Sequence, residues 1–301
     1  MMVEIGRLLT AMVTPFDKSG EVDYGAAKRL ASALIDSGSD GLVVTGTTGE
    51  SPTLSSEEKV RLWAEVKAEV GDRGSVIAGS GSYCTAESME LTREAEKVGA
   101  DGALLVVPYY NKPPQDGLYE HFAYIAGNTS LPCIIYNVPS RTVTNIQADT
   151  VIRLSEVRNI VGIKEASADF DQITKIISGA GPDFKVWSGN DGDTLPIMAL
   201  GGYGVVSVLS HLVGLQIKDM IDSFVGGRTE EAAQIHRRLL PLVNSMFIVS
   251  NPIPLKHAMG MIGFDVGGTR LPLLGPDEAT GGRIMTEVAR HRMDLPIPAK
   301  V

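Results

Sequence analysis

Short apolar runs recur along the chain, and each is followed by a turn and then by a longer stretch in which apolar residues have helical spacing. Eight such runs begin near residues 8, 40, 75, 101, 133, 160, 185 and 204. Their residues are apolar at consecutive positions, which is typical of parallel strands that are covered by helices. The pattern therefore predicts eight strand–helix units.

The stretch at 55–71, "SSEEKVRLWAEVKAEVG", indicates where these helices begin and end. Its apolar residues Val60, Trp63 and Val66 recur at helical spacing. Ser55 and Glu58 match a capping box at the start of a helix, and Gly71 stands where a C-terminal cap is expected.

Eight strand–helix units in about 225 residues match a (β/α)8 barrel, which typically takes ~250 residues. A doubly wound open sheet is the alternative, and periodicity does not decide between the two. No GxGxxG follows the first strand and no GxxxxGK[ST] occurs, so the nucleotide-binding forms of that alternative lack their motifs. After residue 227 the alternation stops and the pattern becomes helical. We therefore predict a barrel over 1–226 and a helical C-terminal domain over 227–301.

Composition and charge limit the partners and the location that we expect for this protein. The chain has 301 residues, 44% of them hydrophobic, and a net charge of -9 without a basic stripe, so nucleic acid and anionic membrane are not expected partners. No apolar run approaches the ~20 residues of a membrane helix, and the first residues lack a signal-peptide pattern. Two cysteines, Cys84 and Cys133, make no disulfide framework. We expect a cytoplasmic protein.

Polar side chains follow five of the predicted strands, at the ends where barrels build their active sites. The segments are "TGTTGES", "PYYN", "YNVPSRT", "KEAS" and "SGND". They supply hydroxyl groups, one guanidinium and one amine, on Thr47, Thr48, Tyr109, Tyr110, Tyr136, Arg141 and Lys164. These groups suit proton transfer and carboxylate binding.

Lys164 lies within an apolar strand, "IVGIKEAS" at 160–167. Lysine is rarely fully buried, because an unpaired ammonium is costly to remove from water. Desolvation disfavours the charged form, and a free amine is the nucleophile that forms an imine with a carbonyl compound. The alternative is a structural lysine that reaches solvent or pairs with Glu165.

Tyr136 precedes Lys164 by 28 residues, which is one strand–helix unit. Because alternate residues of a strand face the same side, Tyr136 and Lys164 can both point into the mouth of the barrel. A phenol there can relay protons during imine formation. Tyr109 is equally well explained as an interface aromatic.

Two further segments carry groups that can bind a carboxylate. The adjacent Thr47 and Thr48 present hydroxyl and backbone N–H groups together, although the same residues also suit a simple tight turn. The planar guanidinium of Arg141 matches a carboxylate, although a single loop arginine is commonly just solvated.

The sequence contains neither the histidine spacing typical of a metal-dependent enzyme nor the motif of a serine nucleophile. The histidines are scattered and show no HxH or HExxH spacing, and no GxSxG is present; they are His121, His211, His236, His257 and His291. We expect no metal.

Four motifs together resemble the dihydrodipicolinate synthase family, within the wider group of pyruvate-dependent class I aldolases that includes N-acetylneuraminate lyase. They are "GTTGE" at 46–50, "YNVPSRT" at 136–142, "GIKEAS" at 162–167 and "NPIPLK" at 251–256. The resemblance runs essentially the whole chain. It implies a (β/α)8 barrel with a helical C-terminal domain, assembled as a homotetramer of two tight dimers.

The resemblance also implies an activity and its residues. Pyruvate would condense with L-aspartate 4-semialdehyde to 4-hydroxy-tetrahydrodipicolinate, the first committed step toward diaminopimelate and lysine. Lys164 would form the Schiff base with pyruvate, so no other cofactor is needed. A proton relay would consist of Tyr136, Thr47 and Tyr110, the last reaching into the neighbouring subunit. The pocket would also include Thr48 for the pyruvate carboxylate, Arg141 for the semialdehyde carboxylate, Gly189 and Val206.

Lysine binds at the dimer interface of many family members as a feedback inhibitor. The matching positions here are Ser51, Pro52, Ser56, Lys59, Tyr83, Glu87 and Tyr109. Inhibited members commonly carry histidine where this chain has Ser56 and Lys59. An approaching lysine ammonium would meet the like charge of Lys59, so we expect weak inhibition or none.

Two other functions stay open at this point. One is a lyase of the same group, acting on N-acetylneuraminate or a keto-deoxy sugar acid, although polyhydroxy aldehydes do not require Arg141. The other is a barrel that only binds small keto acids or lysine as a sensor.

Overall fold

The structure, a computed structural model, describes residues 5–297 and contains a closed barrel of eight parallel strands. Each strand pairs with the next along the chain, and β8 pairs with β1. The strands are β1 (Leu8–Ala11), β2 (Gly41–Val44), β3 (Ser75–Gly79), β4 (Gly102–Val106), β5 (Cys133–Asn137), β6 (Ile160–Glu165), β7 (Lys185–Ser188) and β8 (Gly204–Ser207). The predicted barrel is confirmed, and the open doubly wound sheet is excluded.

Helices surround the barrel and continue beyond its last strand. Those associated with the barrel are α1 (Tyr24–Asp36), α2 (Ser56–Val70), α3 (Thr85–Lys97), α4 (Gln115–Ala126), α5 (Pro139–Thr142), α6 (Ala148–Leu154), α7 (Phe170–Gly179), α8 (Thr194–Ala199) and α9 (Ser210–Val225). Those that follow are α10 (Thr229–Ser245), α11 (Ile253–Ile262) and α12 (Glu278–Val288). The helical appendage is therefore confirmed, whereas the domain division at residues 226 and 227 stays a prediction.

The strands place alternate side chains inside and outside the barrel. On β5, Ile134 and Tyr136 belong to the small apolar cluster that fills the barrel, together with Trp187 of β7. Ile135 lies between them in sequence and packs outward against the helices. This alternation carries the inward side of each strand end to the mouth of the barrel.

The start of α2 confirms the predicted capping box. The Ser55 hydroxyl accepts from the amide of Glu58 at 3.2 Å, and the Ser55 amide donates to the Glu58 carboxylate at 2.9 Å. Gly71 ends the helix with φ +57°, a left-handed value that glycine adopts without steric cost. The capping box thus fixes where the loop between β2 and α2 ends, and Gly71 fixes where α2 ends.

Within residues 5–297 no helix is long and apolar enough to cross a membrane.

His211 makes stability depend on pH. It is fully buried, its Nε2 accepts from the Val13 amide at 3.2 Å, and its Nδ1 faces the Val208 carbonyl at 2.9 Å, so the ring is held neutral. Burial lowers the pKa of His211 from 6.5 to about 4. As the pH falls from 6.5 to about 4, the unfolded chain takes up this proton first, and the free energy of unfolding falls.

We therefore expect the free energy of unfolding of His211→Gln to depend less steeply on pH in that window, by about 1.4 kcal/mol per pH unit. The variant lacks the one proton that the unfolded chain takes up before the folded protein does. Urea unfolding at pH 7, 6, 5 and 4 measures it. His121, whose pKa burial also lowers to about 4, is present in both proteins and cancels in the comparison. Equal slopes for the variant and the parent would contradict the assignment.

Candidate active site

Lys164 and Tyr136 face each other across adjacent strands at the mouth of the barrel. They are register partners of β6 and β5, and Lys164 Nζ lies 4.1 Å from the centroid of the Tyr136 ring. Only 5% of Lys164 is exposed, and Trp187 is its register partner on β7. An amine thus lies among aromatic rings at a strand end, in contact with a phenol.

Glu165 points the other way from Lys164. The two residues therefore do not form the ion pair that was one structural explanation of a lysine at this position. Its buried carboxylate accepts from Asn137 at 3.1 Å, from Gln172 at 3.2 Å and from the Ser167 amide at 2.8 Å. Burial raises the pKa of Glu165, and these hydrogen bonds act against that rise. The contacts hold β6 beside β5 from outside the barrel.

Gly189 and Val206 lie where the adjoining strands end. A Cβ on Gly189 would come within 2.7 Å of the Ala166 Cβ and 3.2 Å of the Lys164 Cε, so a glycine keeps the space beside the amine open. Val206 is buried in the same internal cluster as Tyr136. Both residues are therefore near the predicted centre.

The loop between β2 and α2 has an unusual backbone. Thr45 and Glu50 adopt left-handed conformations, with φ of 60° and 57°. The Thr45 hydroxyl accepts from Trp63 Nε1 at 2.8 Å and donates to the Gly79 carbonyl. The Thr48 hydroxyl is buried and accepts from Asn251 Nδ2 at 2.7 Å, which leaves its own proton available for donation.

A cavity of about 240 Å³ opens beside these residues. Its walls include six residues singled out from the sequence: Thr47, Ser51, Pro52, Tyr109, Tyr136 and Arg141. Apolar side chains such as Leu104 and Val138 complete it. Thr48, Lys164, Gly189 and Val206 are not among the residues of its wall. The cavity can hold a small carboxylic acid between hydroxyl groups and a guanidinium.

Tyr110 lies outside this cavity. Its side chain is 92% exposed and its backbone is left-handed, with φ of 72°. Tyr109 turns back, lines the cavity, and meets Tyr83 edge to face at 5.3 Å. Burial, Glu87 and Tyr83 raise the pKa of Tyr109. The side chain of Tyr109 thus faces the cavity, whereas that of Tyr110 faces solvent.

Glu87 and Lys59 face the same region from α3 and α2. Glu87 accepts from the Ser82 hydroxyl at 2.8 Å. Lys59 is buried, and burial lowers its pKa while the charge of Glu87 opposes that effect. Ser56 is exposed at the first turn of α2. The charge of Glu87 therefore acts on a cation of the chain itself.

Sequence reasoning missed Asp191, which is buried after β7. Its carboxylate accepts from the Ser207 hydroxyl and from the amides of Val208 and Leu209 at 3.0 and 3.2 Å. Burial raises the pKa of Asp191, whereas these donors and the charge of Lys164 lower it. The segment "SGND" indicated a polar strand end, but nothing in it distinguished this carboxylate.

No group of three or more His, Cys, Asp or Glu side chains within residues 5–297 is arranged to hold a metal ion.

Comparison with known proteins places these motifs in a family. Residues 4–289 match the model of the dihydrodipicolinate synthetase family. A 4-hydroxy-tetrahydrodipicolinate synthase of Dehalococcoides mccartyi strain CBDB1 is 62% identical over 296 residues, covering 98% of this chain and 100% of the relative.

Two solved structures of dihydrodipicolinate synthases superpose closely. That of Cyanidioschyzon merolae, with lysine bound, has a TM-score of 0.93 and 46% identity, covering 95% of this chain and 97% of the other. That of Acinetobacter baumannii, chloride-inhibited and complexed with pyruvate, has a TM-score of 0.92 and 37% identity, covering 95% and 98%. The resemblance inferred from the four motifs is confirmed.

The space at Gly189 gives a test of the site. We expect Gly189→Ala to lower the rate at which borohydride traps pyruvate on the protein by roughly tenfold, because the new Cβ, 3.2 Å from the Lys164 Cε, displaces that side chain by a few tenths of an ångström. Mass spectrometry counts the trapped adduct. Gly282→Ala is the matched control, since nothing lies within 4 Å of a Cβ there. Equal trapping by the two variants would contradict the placement of Gly189.

Proposed function

The chain belongs to the dihydrodipicolinate synthetase family, and from that premise we propose that it condenses pyruvate with L-aspartate 4-semialdehyde to 4-hydroxy-tetrahydrodipicolinate. It is then a lyase-type enzyme of diaminopimelate and lysine biosynthesis. The observation that carries the proposal is the buried Lys164 amine, 4.1 Å from the Tyr136 ring centroid, beside a cavity lined by Thr47 and Arg141.

The first step joins pyruvate to Lys164. The Nζ lone pair attacks the keto carbon, protons pass to the departing oxygen, and one water leaves as the imine forms. The low exposure of Lys164 and its contact with the Tyr136 ring support this role, because they place the amine beside a phenol and away from bulk water. The protonated imine is the electron sink that other enzymes obtain from a cofactor.

Proton transfers follow at the methyl group of the bound pyruvate. Loss of a methyl proton gives an enamine, whose terminal carbon attacks the aldehyde carbon of the second substrate while the aldehyde oxygen takes up a proton. Tyr136 and Thr47 line the same cavity, which supports their role as the groups that carry these protons. Tyr110 completes the relay in a neighbouring subunit.

Ring closure releases the product from Lys164. The amine of the former semialdehyde attacks the imine carbon and expels Lys164, so the cyclic product forms with a net loss of one water. Arg141 binds the semialdehyde carboxylate, which its position on the cavity wall supports. Thr48 holds the pyruvate carboxylate, and the open space at Gly189 together with Val206 shapes the pocket beside Lys164.

Tyr110 supports an assembly of several copies. A tyrosine that is 92% exposed, on a left-handed residue next to the cavity, is well placed to enter the site of a second copy. We propose a homotetramer of two tight dimers on that ground. The thiols of Cys84 and Cys133 are both free, which supports a reducing, cytoplasmic location.

Two variants separate the imine step from the use of the acceptor. We expect Lys164→Ala to abolish borohydride trapping of pyruvate. Arg141→Ala should still trap pyruvate but lose roughly 10- to 100-fold in kcat/KM for the semialdehyde, because the semialdehyde carboxylate loses its charged partner.

The two readouts are the mass of the trapped protein and initial rates at varied semialdehyde. Arg153→Ala, which removes an arginine from an exposed ion pair with Asp116, is the control. If Arg141→Ala lost trapping and semialdehyde use equally, the role assigned to Arg141 would be wrong.

We also expect lysine to inhibit this enzyme weakly or not at all. The charges of Lys59 and Glu87 attract each other, so a lysine ligand that approached Glu87 would meet the like charge of Lys59. Initial rates with lysine added at saturating and at limiting pyruvate measure the effect. Half-inhibition by sub-millimolar lysine would refute this expectation.

A further inference from the structure

A buried ion pair joins the loop between β2 and α2 to helix α11. Lys256 Nζ lies 2.6 Å from the carboxylate of Glu50, and the two side chains are only 2% and 1% exposed. The other Glu50 oxygen accepts from the Arg270 amide at 2.9 Å, and Lys256 donates to the Gly268 carbonyl at 2.8 Å. Neither charge contacts the cavity, so the pair has no place in the proposed chemistry.

An aromatic ring and a second ion pair reinforce this connection. Phe16 has Lys256 Nζ 4.2 Å and the Arg270 guanidinium carbon 4.5 Å from its ring centroid. Arg270 also holds Glu58 with two hydrogen bonds, at 2.6 and 2.8 Å, and Glu58 belongs to the capping box of α2. The middle of the loop and the first turn of α2 are thus fastened to the segment that follows the barrel.

The same loop carries Thr47 and Thr48. Thr47 lines the cavity, and Thr48 accepts the hydrogen bond from Asn251, at the start of the segment that leads into α11. Thr45 and Glu50, which enclose the two threonines in sequence, are left-handed. Such conformations cost free energy and persist only where surrounding contacts hold them.

We propose that the Glu50–Lys256 pair is a positioning device that fixes Thr47 and Thr48 for pyruvate binding. Through it the C-terminal helices determine the affinity of a site at the mouth of the barrel. The inference rests on the proposed function, because it assigns the loop to pyruvate, and it adds that residues after position 250 hold the loop in place.

A buried pair is suited to this task. When one partner is removed, the other is left as an uncompensated buried charge that must find water or a new partner. Glu50 can do so only if the loop moves, which carries Thr47 with it. An exposed ion pair lacks this consequence, since water replaces the lost partner.

The test measures the pyruvate concentration that gives half-maximal borohydride trapping, without the semialdehyde. Lys256→Met should raise that concentration by roughly 10- to 100-fold, as expected for a binding group displaced by ~1 Å. Glu50→Gln, which keeps its size and an acceptor for the Arg270 amide, should give a smaller shift in the same direction. The double variant should be no worse than Lys256→Met alone, because both changes remove one interaction.

Lys67→Met is the matched control. It breaks another ion pair of 2.7 Å, with Asp101, at the opposite end of the barrel, so it should leave half-saturation unchanged. Circular dichroism verifies that each variant is folded, and Glu50→Gln carries the test if Lys256→Met does not fold.

The positioning role would be overturned if folded variants reached half-maximal trapping at the same pyruvate concentration as the parent and only trapped less pyruvate at saturation. That result would indicate a merely structural pair. Wild-type protein that trapped no pyruvate would overturn the proposed function, and the inference with it.

Discussion

A lysine side chain inside a closed barrel is the constraint on which the rest of this structure depends. Lys164 is excluded from water at a strand end, and no carboxylate of the described residues forms an ion pair with it. An amine in such a place is shielded from bulk water, and we propose that it acts as the nucleophile. The Tyr136 ring and the space at Gly189 adjoin that amine, and Tyr136 also lines the small cavity.

The opposite faces of the same two strands hold this arrangement in register. Tyr136 and Lys164 are register partners inside the barrel, and the next residues, Asn137 and Glu165, are register partners outside it. The outer pair is joined by two hydrogen bonds of 3.1 Å. Strand periodicity thus places the candidate catalytic groups inside the barrel and the hydrogen bonds between the strands' side chains outside it.

Much of this could be predicted from the sequence, because it depends on local patterns. Strand starts differ from the predicted positions by at most one residue, and the spacing between Tyr136 and Lys164 gave their register. Contacts between distant segments could not be predicted, since no periodicity links Glu50 to Lys256 or Thr48 to Asn251. Asp191 was missed for a related reason: its burial results from packing against β8, which a single strand end does not reveal.

The most direct measurement of the central claim is pyruvate consumption by the purified protein, with and without L-aspartate 4-semialdehyde. Our account predicts consumption that requires the semialdehyde and releases one product for each pyruvate used. Protein that traps pyruvate with borohydride but consumes none when the semialdehyde is present would contradict the assigned acceptor, although the Schiff-base chemistry at Lys164 would stand.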